Sequence, residues 1–271
     1  MLQFTVDANR CTRCGLCAKD CPARIIRQGG GAVPTIASDQ EVFCYQCQHC
    51  LAVCPTAAIS ILGRNPVDSL PLSPGRLPTI DQMELLVRGR RSVRQYRDEN
   101  VDPALLQRLL NALANVPTGV NRRELTFMVI DDREVMGRIR SEFYSAMAKA
   151  EASRLPEYLV TAAPAFLNEG IDLVFRGAPH ALIVSAPPDA PCPGQDVVLA
   201  LAYFELLAQS AGLGTVWWGM LRSILDALPE LKRSVNLAAD QVYYAMLFGM
   251  PAIRFSRTVQ RDDAAVVRRL G

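Results

Sequence analysis

The amino-acid sequence predicts an α+β protein with a small N-terminal domain and a larger C-terminal one. Eight of the nine cysteines lie between Cys11 and Cys54, a proline-rich stretch follows them, and helix and strand patterns then alternate irregularly. The 271 residues also exceed the usual length of a single domain, roughly 100 to 200 residues. We therefore expect domains at residues 1–62 and 79–271, joined by a linker at residues 63–78.

The composition indicates a globular protein and gives no support for a membrane or nucleic-acid partner. Hydrophobic residues make up 50% of the chain, and the formal net charge is only +2. The longest apolar run, residues 197–208, is interrupted by Glu205, so it falls short of the roughly 18 apolar residues of a membrane span. No basic patch and no secretory signal are visible. We expect a cytoplasmic protein whose thiols stay reduced.

The cysteines form a tandem repeat in which CTRCGLCAKDCP is echoed by CYQCQHCLAVCP. Each copy has the spacing C-x2-C-x2-C-x3-C-P, which is typical of proteins with two [4Fe-4S] clusters. In this pattern, three cysteines of one copy share a cluster with the fourth cysteine of the other copy. The first cluster is expected on Cys11, Cys14, Cys17 and Cys54, and the second on Cys44, Cys47, Cys50 and Cys21.

A zinc ribbon is the alternative, but zinc has no use for the third cysteine of each copy. Residues 1 to about 62 resemble the bacterial two-cluster ferredoxin family. His49 lies between two of the cysteines, and we expect it to be an exposed loop residue or a hydrogen-bond donor that tunes a cluster potential.

The next segment has four prolines between residues 64 and 78, which favour an extended tether. Thr79 and Gln82 then form a capping box for a helix that ends near Gly89, and Asp102 with Pro103 opens a second helix. We predict strands at residues 125–130, 181–185, 215–218 and 242–248, and a long buried helix at residues 196–211.

An arginine-rich segment, RGRRSVR at residues 88–94, follows the first of these helices. An arginine run often forms a solvated face of a protein. Guanidinium groups and a serine hydroxyl on one turn, however, also suit a phosphate monoester. An anionic cofactor is therefore a reasonable expectation.

Four segments carry a resemblance to the FMN-dependent nitroreductase family: RRSVRQY, PTGVN, GLGTVWWG and FGMPAIRFSR occur in that family's order over residues 80 to about 260. The resemblance implies FMN, a mixed and mainly antiparallel sheet flanked by helices, and a homodimer with the flavin at the subunit interface. By the same resemblance, Arg90, Arg91 and Ser92 bind the FMN phosphate. Arg254 and Arg257 complete that clamp.

The resemblance also assigns the ring end of the flavin site. Arg94 faces the pyrimidine edge, where a fixed cation stabilises the negative charge of the reduced ring, and it is our catalytic candidate. The segment that reaches the flavin from the partner subunit comprises Pro117, Thr118, Gly119 and Asn121. The strand that lines the ring contributes Val216, Trp217, Trp218 and Gly219, with only one of the two tryptophans able to face the ring.

Three features stay open. Arg122–Leu125 departs from the family pattern, since many members have a Gln-Pro-Trp segment there that forms the pocket wall. Cys192 is either an inert thiol or a group near the flavin or substrate. We expect His180, at the start of a predicted strand, to have a structural role.

The fusion itself indicates an oxidoreductase in which an external carrier, such as a ferredoxin, supplies electrons through two [4Fe-4S] clusters to FMN. The flavin then reduces a small organic acceptor of the nitro, quinone or enone type. Two alternatives remain: a non-catalytic electron-transfer or redox-sensing flavoprotein, and an NAD(P)H-fed flavin reductase that reduces the clusters.

Overall fold

The computed structural model describes residues 2–261 and 265–271. The chain forms two compact units. The first comprises Met1–Pro78 and Val120–Arg122, and the second comprises Thr79–Gly119 and Arg123–Gly271. The domain limits expected from the sequence stay predictions. Among the described residues, we find no helix with both the length and the apolar character needed to cross a bilayer.

The N-terminal unit is built from two small antiparallel sheets and two short helices. Strand β1 (Thr5–Val6) pairs with β4 (Ile59–Ser60), and β2 (Ile26–Arg27) pairs with β3 (Thr35–Ile36). The helices are α1 (Leu16–Asp20) and α2 (His49–Ala52). Each helix lies within one cysteine repeat, so the repeated sequence folds into a repeated structure.

The core of this unit is apolar and includes two of the cysteines. Its buried residues are Leu2, Cys17, Ile25, Ile26, Cys50, Leu51, Ile59 and Ile61. The proline-rich segment after it forms a 3-10 turn at Pro66–Asp68, in which the Asn65 side chain accepts a hydrogen bond from the Val67 N–H. Leu70 is 83% exposed and Leu72 is 81% exposed, which is consistent with a tether that packs little of its surface.

The C-terminal unit contains a four-stranded antiparallel sheet with the strand order β5-β6-β8-β7. Its strands are β5 (Thr126–Ile130), β6 (His180–Ala186), β7 (Gly214–Trp217) and β8 (Val242–Gly249). The four predicted strands are thus confirmed, with ends that differ by one residue or less. Ser92 forms an isolated parallel bridge with Thr215, which gives the sheet its mixed character.

Seven helices are described in this unit: α3 (Ile80–Gly89), α4 (Pro103–Ala112), α5 (Arg133–Lys149), α6 (Glu157–Val160), α7 (Ala162–Glu169), α8 (Pro193–Ser210) and α9 (Gly219–Ala227). The predicted capping box of α3 is confirmed, because the Gln82 N–H donates to Thr79 Oγ1 and the Thr79 N–H donates to Gln82 Oε1. The expected start of α4 is also confirmed, since Asp102 accepts a hydrogen bond from the Ala104 N–H. Helix α8 is the predicted long helix.

Strand β6 lies between β5 and β8 in the sheet and is buried along its whole length. Its side chains alternate between two cores: Ala181 and Ile183 pack with α5 and α9, whereas Leu182 and Val184 pack with α4 and α8. Apolar layers cover both faces of the sheet, which explains why the β6 sequence is a continuous apolar run. The edge strand β7 is the place where the arginine-rich segment attaches.

Candidate functional site

The first cysteine group lines a small cavity in the N-terminal unit. The four cysteines around it are Cys11, Cys14, Cys17 and Cys54. Three come from the first repeat and one from the second, which is the cross-sharing that the spacing predicts. Gly15, with a φ of 75°, lies between two of these cysteines and allows the chain to turn tightly there.

A second cavity is lined by the other group, which comprises Cys21, Cys44, Cys47 and Cys50. Its apolar wall includes Ile25, Ile26 and Ile61. Among the described residues, no three His, Cys, Asp or Glu side chains converge closely enough to hold a single metal ion. Three of these cysteines come from the second repeat and one from the first, which is the ligand pattern expected for a [4Fe-4S] cluster.

The environment of the thiols differs within each group. Burial raises the pKa of Cys50 to about 12, and it also raises the pKa of Cys17 and of Cys44. Burial works in the same direction at Cys54, but hydrogen bonds from Ala58 N–H and with Thr56 outweigh it and lower the pKa of that thiol. Metal ligands are thiolates, so cluster assembly must displace protons from the buried cysteines.

His49 lies beside the second group and is exposed. Its Nδ1 is 3.2 Å from the Asp20 carboxylate, and its side chain is 57% exposed. The expected exposure of His49 is thus observed, but His49 is the first residue of α2 rather than a loop residue, and it also lines the second cavity.

The arginine-rich segment in the C-terminal unit is held by backbone hydrogen bonds on both sides. Val93 N–H donates to Thr215 O over 2.8 Å, and Arg97 N–H donates to Met250 O over 2.9 Å. The Tyr96 hydroxyl donates back to Val93 O, and Ala252 N–H donates to Gln95 O. The segment is therefore fixed between β7 and the residues that follow β8.

These attachments create a basic cleft of about 780 Å³. Its lining includes four arginines, Arg91, Arg97, Arg254 and Arg257, and the glycines at 89, 212 and 214. The lining residues that the structure describes include no Asp or Glu. Arg91 donates from Nη2 to Arg88 O, while its buried Nε has no hydrogen-bond partner in the described structure. An unpartnered guanidinium nitrogen in a basic cleft fits an anionic ligand such as a phosphate monoester.

Arg90 points to a different partner. Its Nη1 donates to Glu205 Oε1 over 3.2 Å, and Glu205 Oε2 accepts a hydrogen bond from Trp217 Nε1, also over 3.2 Å. Neither Arg90 nor Ser92 is among the residues that line the cleft. Arg94 is exposed and donates from Nη1 to Ser92 O at 3.4 Å.

Gly119 of the PTGVN segment is anchored within the C-terminal unit. The Gly119 N–H donates to both carboxylate oxygens of Asp196, at 3.1 and 3.2 Å. A Cβ on Gly119 would lie 3.2 Å from Cys192 Sγ, so the ninth cysteine lies directly against this segment. Thr118 Oγ1 accepts a hydrogen bond from the Arg123 N–H.

Asn121 lies in a tight turn of positive φ residues, with Val120 at 46° and Asn121 at 58°. This turn belongs to the compact unit that contains the two cysteine repeats, where Asn121 Nδ2 donates to Tyr45 O over 2.8 Å. Pro117 is exposed. The roles of the four predicted segment residues stay predictions.

Family models match both domains of the chain. The model of the nitroreductase family matches residues 87–250. The chain belongs to the nitroreductase family. A 4Fe-4S dicluster domain matches residues 10–59, so the expected fusion of a two-cluster ferredoxin module with a nitroreductase domain is confirmed.

Relatives and solved structures resemble mainly the nitroreductase domain. A candidate NADH dehydrogenase/NAD(P)H nitroreductase of Methanothermobacter thermautotrophicus is 27% identical over 184 residues, covering 66% of this chain and 81% of the relative. The iodotyrosine deiodinase of Thermotoga neapolitana is 28% identical over 138 residues, covering 48% of this chain and 70% of the relative. A Bacteroides fragilis nitroreductase solved with bound FMN superimposes with a TM-score of 0.56 at 21% identity, covering 69% of this chain and 99% of that one. This last likeness supports the fold.

The two tryptophans of the nitroreductase domain have different environments. Trp218 is only 2% exposed and packs against Phe175, at 4.8 Å between ring centroids. Trp217 is half-buried and lies 5.7 Å from Tyr244. Val216 is buried, and Gly219 is crowded by the Tyr244 hydroxyl. Trp218 thus belongs to the core, so its contribution to a ring site would come through its backbone.

Sequence reasoning missed three residues of this site. Glu205 and Asp196 are buried carboxylates on α8, and Arg97 adds a fourth cation to the cleft. The available signal for Glu205 was one carboxylate in an otherwise apolar run, because such a charge needs a partner when the helix is buried. The identity of that partner is not visible in the sequence.

Proposed function

We propose that this protein is an iron-sulfur flavoprotein oxidoreductase. In this proposal, electrons from an external carrier pass through two [4Fe-4S] clusters to FMN and reduce a small organic acceptor of the nitro, quinone or enone type. The single observation that carries it is the presence of two four-cysteine cavities and a basic cleft in a nitroreductase domain on one chain. We place the reaction in the cytoplasm, where thiols stay reduced.

The bound groups would supply the redox chemistry, since iron-sulfur clusters exchange single electrons and FMN can hand on two. The protein's own cysteines hold the clusters in two adjacent groups that share both repeats. Because each repeat contributes to both cavities, displacement of one repeat would disturb both clusters. Because both repeats supply ligands to both clusters, the distance between the two clusters would stay fixed.

For the flavin, we assign the phosphate end to the basic cleft. Arg91, Arg254 and Arg257 lie around it, and Ser92 is the next residue after Arg91. Guanidinium forks bind a phosphate through paired, charge-assisted hydrogen bonds. Gly212 and Gly214 keep the cleft open to backbone approach because neither carries a side chain.

At the ring end, we assign Arg94 to the pyrimidine edge and the backbone of residues 216–219 to the ring itself. Arg94 is exposed and its guanidinium is tethered only to the Ser92 carbonyl, so it can reorient toward a ligand. A cation there favours the reduced ring, which carries negative charge. The Pro117–Asn121 segment would complete the site from the partner subunit.

The expected homodimer has support in exposed apolar side chains of the nitroreductase domain. On α8, Val198 is 46% exposed and Tyr203 is 45% exposed, and Leu199 lies beside them. On α3, Ile80, Leu85 and Val87 are also exposed. Apolar side chains grouped on two helices are typical of an interface, and homodimers are the commonest oligomers.

The test is anaerobic reconstitution followed by turnover. Iron, sulfide and flavin are measured per chain, and reduced ferredoxin or a reduced viologen then serves as donor with nitroaromatic, quinone and enone acceptors. We expect about eight irons and one FMN, with turnover supported by the carrier. The variant Cys21→Ser should lose carrier-supported turnover while it retains FMN. Cys192→Ser, at a cysteine that lines neither cysteine cavity, is the control for iron content.

Two outcomes would redirect the proposal. Full cofactor content without turnover of any acceptor would indicate an electron-transfer or redox-sensing protein. If NADPH bleaches the flavin absorbance before the cluster absorbance, the flow runs outward from a nicotinamide donor to the clusters. Zinc in place of iron, or no bound flavin, would overturn the proposal itself.

A further inference from the structure

The turn at the end of the PTGVN segment is held by hydrogen bonds on both sides. Gly119 N–H donates to the Asp196 carboxylate, and Arg123 N–H donates to Thr118 Oγ1 over 3.0 Å. Val120, between these two attachments, has a φ of 46°, which a β-branched residue rarely adopts. Such a conformation persists only where the surrounding structure fixes it. The turn therefore has one defined shape.

The tip of this turn is bonded to the second cysteine repeat. Val120–Arg122 belong to the N-terminal unit, and there Asn121 Nδ2 donates to Tyr45 O over 2.8 Å. The carbonyl of Tyr45 is part of the peptide group that joins Tyr45 to Gln46. The N–H of this same peptide group donates to Cys44 Sγ over 3.3 Å. One peptide group thus connects the Asn121 side chain with the sulfur of an expected cluster ligand.

This connection can act on the cluster that Cys44 would bind. Hydrogen bonds to the sulfur atoms are among the factors that set the reduction potential of an iron-sulfur cluster. In a chain of hydrogen bonds each bond polarises the next, so a bond to the Tyr45 carbonyl strengthens the donation from the Gln46 N–H. In the first cavity, by contrast, Cys54 accepts its hydrogen bond from Ala58 N–H, only four residues away. The second cysteine group is thus linked to the PTGVN segment.

We propose that the second cluster reduces the flavin, and that this flavin is the one held by the phosphate clamp of the partner subunit. The second cluster is the one expected on Cys21, Cys44, Cys47 and Cys50. The inference rests on the proposed function, in which Pro117–Asn121 completes the flavin site of the partner. The segment that reaches the partner's flavin is then the same segment that is bonded to the loop of the second cluster. Asn121 is the positioning residue of this connection.

The electrons would follow one order. An external carrier delivers them singly through the first cluster to the second, and from there to the flavin. Two such deliveries, with protons taken up from water, oxidise two carrier molecules and reduce one flavin fully. The first cluster is then the entry point, which agrees with the exposed position of Cys14 in the first cavity. The competing view is that each chain reduces the flavin of its own clamp.

The first test needs no flavin. Asn121→Gly removes the side chain, and glycine tolerates the φ of 58° at this position. The full chain is reconstituted with iron and sulfide alone, and a redox titration followed by electron paramagnetic resonance gives the midpoint potential of each cluster. We expect the midpoint of the second cluster to fall, because the donation to Cys44 Sγ weakens, while that of the first cluster stays unchanged. Unchanged midpoints for both clusters would overturn the inference.

Three further variants complete this test. Cys14→Ser and Cys47→Ser assign the two signals, because each removes a thiol from one cavity only. Asn115→Ala is the matched control, since Asn115 is exposed and its Nδ2 also donates to a backbone carbonyl, that of Ala112. It should leave both midpoints unchanged. A fall of the same size in Asn115→Ala would show a general effect and would overturn the role of Asn121.

The second test asks which flavin receives the electrons. One variant chain carries Cys47→Ser and lacks the second cluster, and another carries Arg91→Gln with Arg254→Gln and lacks the phosphate clamp. The first heterodimer combines these two chains. The second heterodimer has all three substitutions on one chain and a wild-type partner. Each heterodimer then holds one flavin and one complete second cluster, and only the distribution of the substitutions differs.

Reduced ferredoxin is added to each heterodimer without an acceptor, and the bleaching of the flavin absorbance is followed. We expect bleaching in the first heterodimer and its loss in the second. Any other pattern overturns the inference while the proposed function stands. Bleaching in the second heterodimer alone would mean that each chain reduces its own flavin, and equal results would mean that the turn does not select the flavin.

The flavin content and the oligomeric state are measured before the electrons are added. A wild type that binds no flavin or forms no dimer would remove the proposed function together with this inference. Full flavin content in the homodimer of the clamp variant, Arg91→Gln with Arg254→Gln, would do the same, because the flavin would then lie outside the basic cleft.

Discussion

Val93 occupies the space directly over Gly214, so that a Cβ on Gly214 would lie only 2.7 Å from the Val93 side chain. The same two segments are joined by the Val93 N–H, which donates to Thr215 O over 2.8 Å. The absence of a side chain at Gly214 therefore lets the arginine-rich segment lie flat against β7. The position of the basic cleft depends on this close approach.

From this contact we predict that Gly214→Ala weakens both stability and flavin binding. The new methyl group must displace Val93 and with it the neighbouring arginines, at a cost of about 1–3 kcal/mol in the free energy of unfolding. Chemical denaturation and an FMN titration measure the two effects. Gly137→Ala is the control, because a Cβ there meets nothing within 4 Å and alanine favours the α5 helix. Unchanged stability and affinity in Gly214→Ala would contradict the prediction.

The two cysteine groups allow a prediction about which cluster each repeat completes. Cys54→Ser should disturb the cluster shared with Cys11, Cys14 and Cys17, whereas Cys21→Ser should disturb the other. Each variant should lose up to about four of eight irons, and electron paramagnetic resonance of the reduced protein should show a different remaining signal in each case.

Cys192→Ser serves as the control for this pair, because Cys192 lies in the other compact unit and lines neither cavity. It should retain full iron content. Identical residual signals in Cys54→Ser and Cys21→Ser would mean that the shared assignment is wrong.

Much of the fold could be predicted because its signals are local. The cysteine spacing, the capping box of Thr79 and Gln82, and the apolar run of β6 each depend on residues close together in sequence. The order of the family's motifs then places the arginine-rich segment in a nitroreductase domain. In each case the residues that specify the structural element lie within or next to that element in the sequence.

The connections within the candidate site could not be predicted, because they join residues far apart in the chain. Glu205 and Arg90 are 115 residues apart, and Asp196 and Gly119 are 77 apart. In sequence, Glu205 shows only as an interruption of an apolar run. Helix α5 was not predicted for a different reason. Its buried apolar residues are separated by many charged ones, so its helical pattern of hydrophobic residues is weak. Tertiary packing decides such cases.

We predict that Arg91 contributes directly to phosphate binding. Its buried Nε has no partner in the described structure, and a charge-assisted hydrogen bond from it is worth about 1.5–3 kcal/mol. Arg91→Gln should therefore weaken FMN binding by about tenfold or more. Arg108→Gln, at an exposed position of α4, is the control and should bind FMN normally. Normal affinity in Arg91→Gln would place the phosphate elsewhere.

The proposed dimer predicts that a charge on the exposed apolar side of α8 weakens association. Tyr203→Glu introduces a carboxylate beside Leu199, and burial of this charge in an interface would be unfavourable. Analytical ultracentrifugation should show a shift from dimer toward monomer, accompanied by loss of FMN if the partner completes the site. Ser141→Glu, at an exposed position of α5 on the other side of the sheet from α8, should leave the dimer intact. A Tyr203→Glu protein that stays dimeric would exclude this face as the interface.

His180 gives a prediction about pH and stability. Its ring is fully buried at the start of β6, and its Nε2 accepts a hydrogen bond from the Val101 N–H over 3.0 Å. Acceptance at this nitrogen requires the neutral ring. Burial lowers the pKa of His180 below its ordinary value of 6.5, although Asp131 and Asp132 act in the opposite direction. The folded state therefore binds a proton less readily than the unfolded state.

The sign of the effect follows from this difference. At about one pH unit or more above 6.5, the ring is neutral in both states and contributes no pH dependence. As the pH falls below 6.5, the unfolded state takes up the proton first, so the free energy of unfolding should decrease until the pH passes the lower pKa of the folded state. Urea unfolding, monitored by the fluorescence of Trp217 and Trp218, measures the free energy of unfolding between pH 7.5 and 5.5. This range covers about one unit either side of the ordinary pKa.

His180→Gln is the matched variant, because its side-chain oxygen can accept the Val101 hydrogen bond but does not titrate in this range. The wild type should lose more stability than the variant as the pH falls, since the contributions of all other groups are shared and cancel in the comparison. Parallel pH profiles for the two proteins would mean that His180 is accessible to protons in the folded state. The hydrogen bond to Val101 would then not hold the ring neutral.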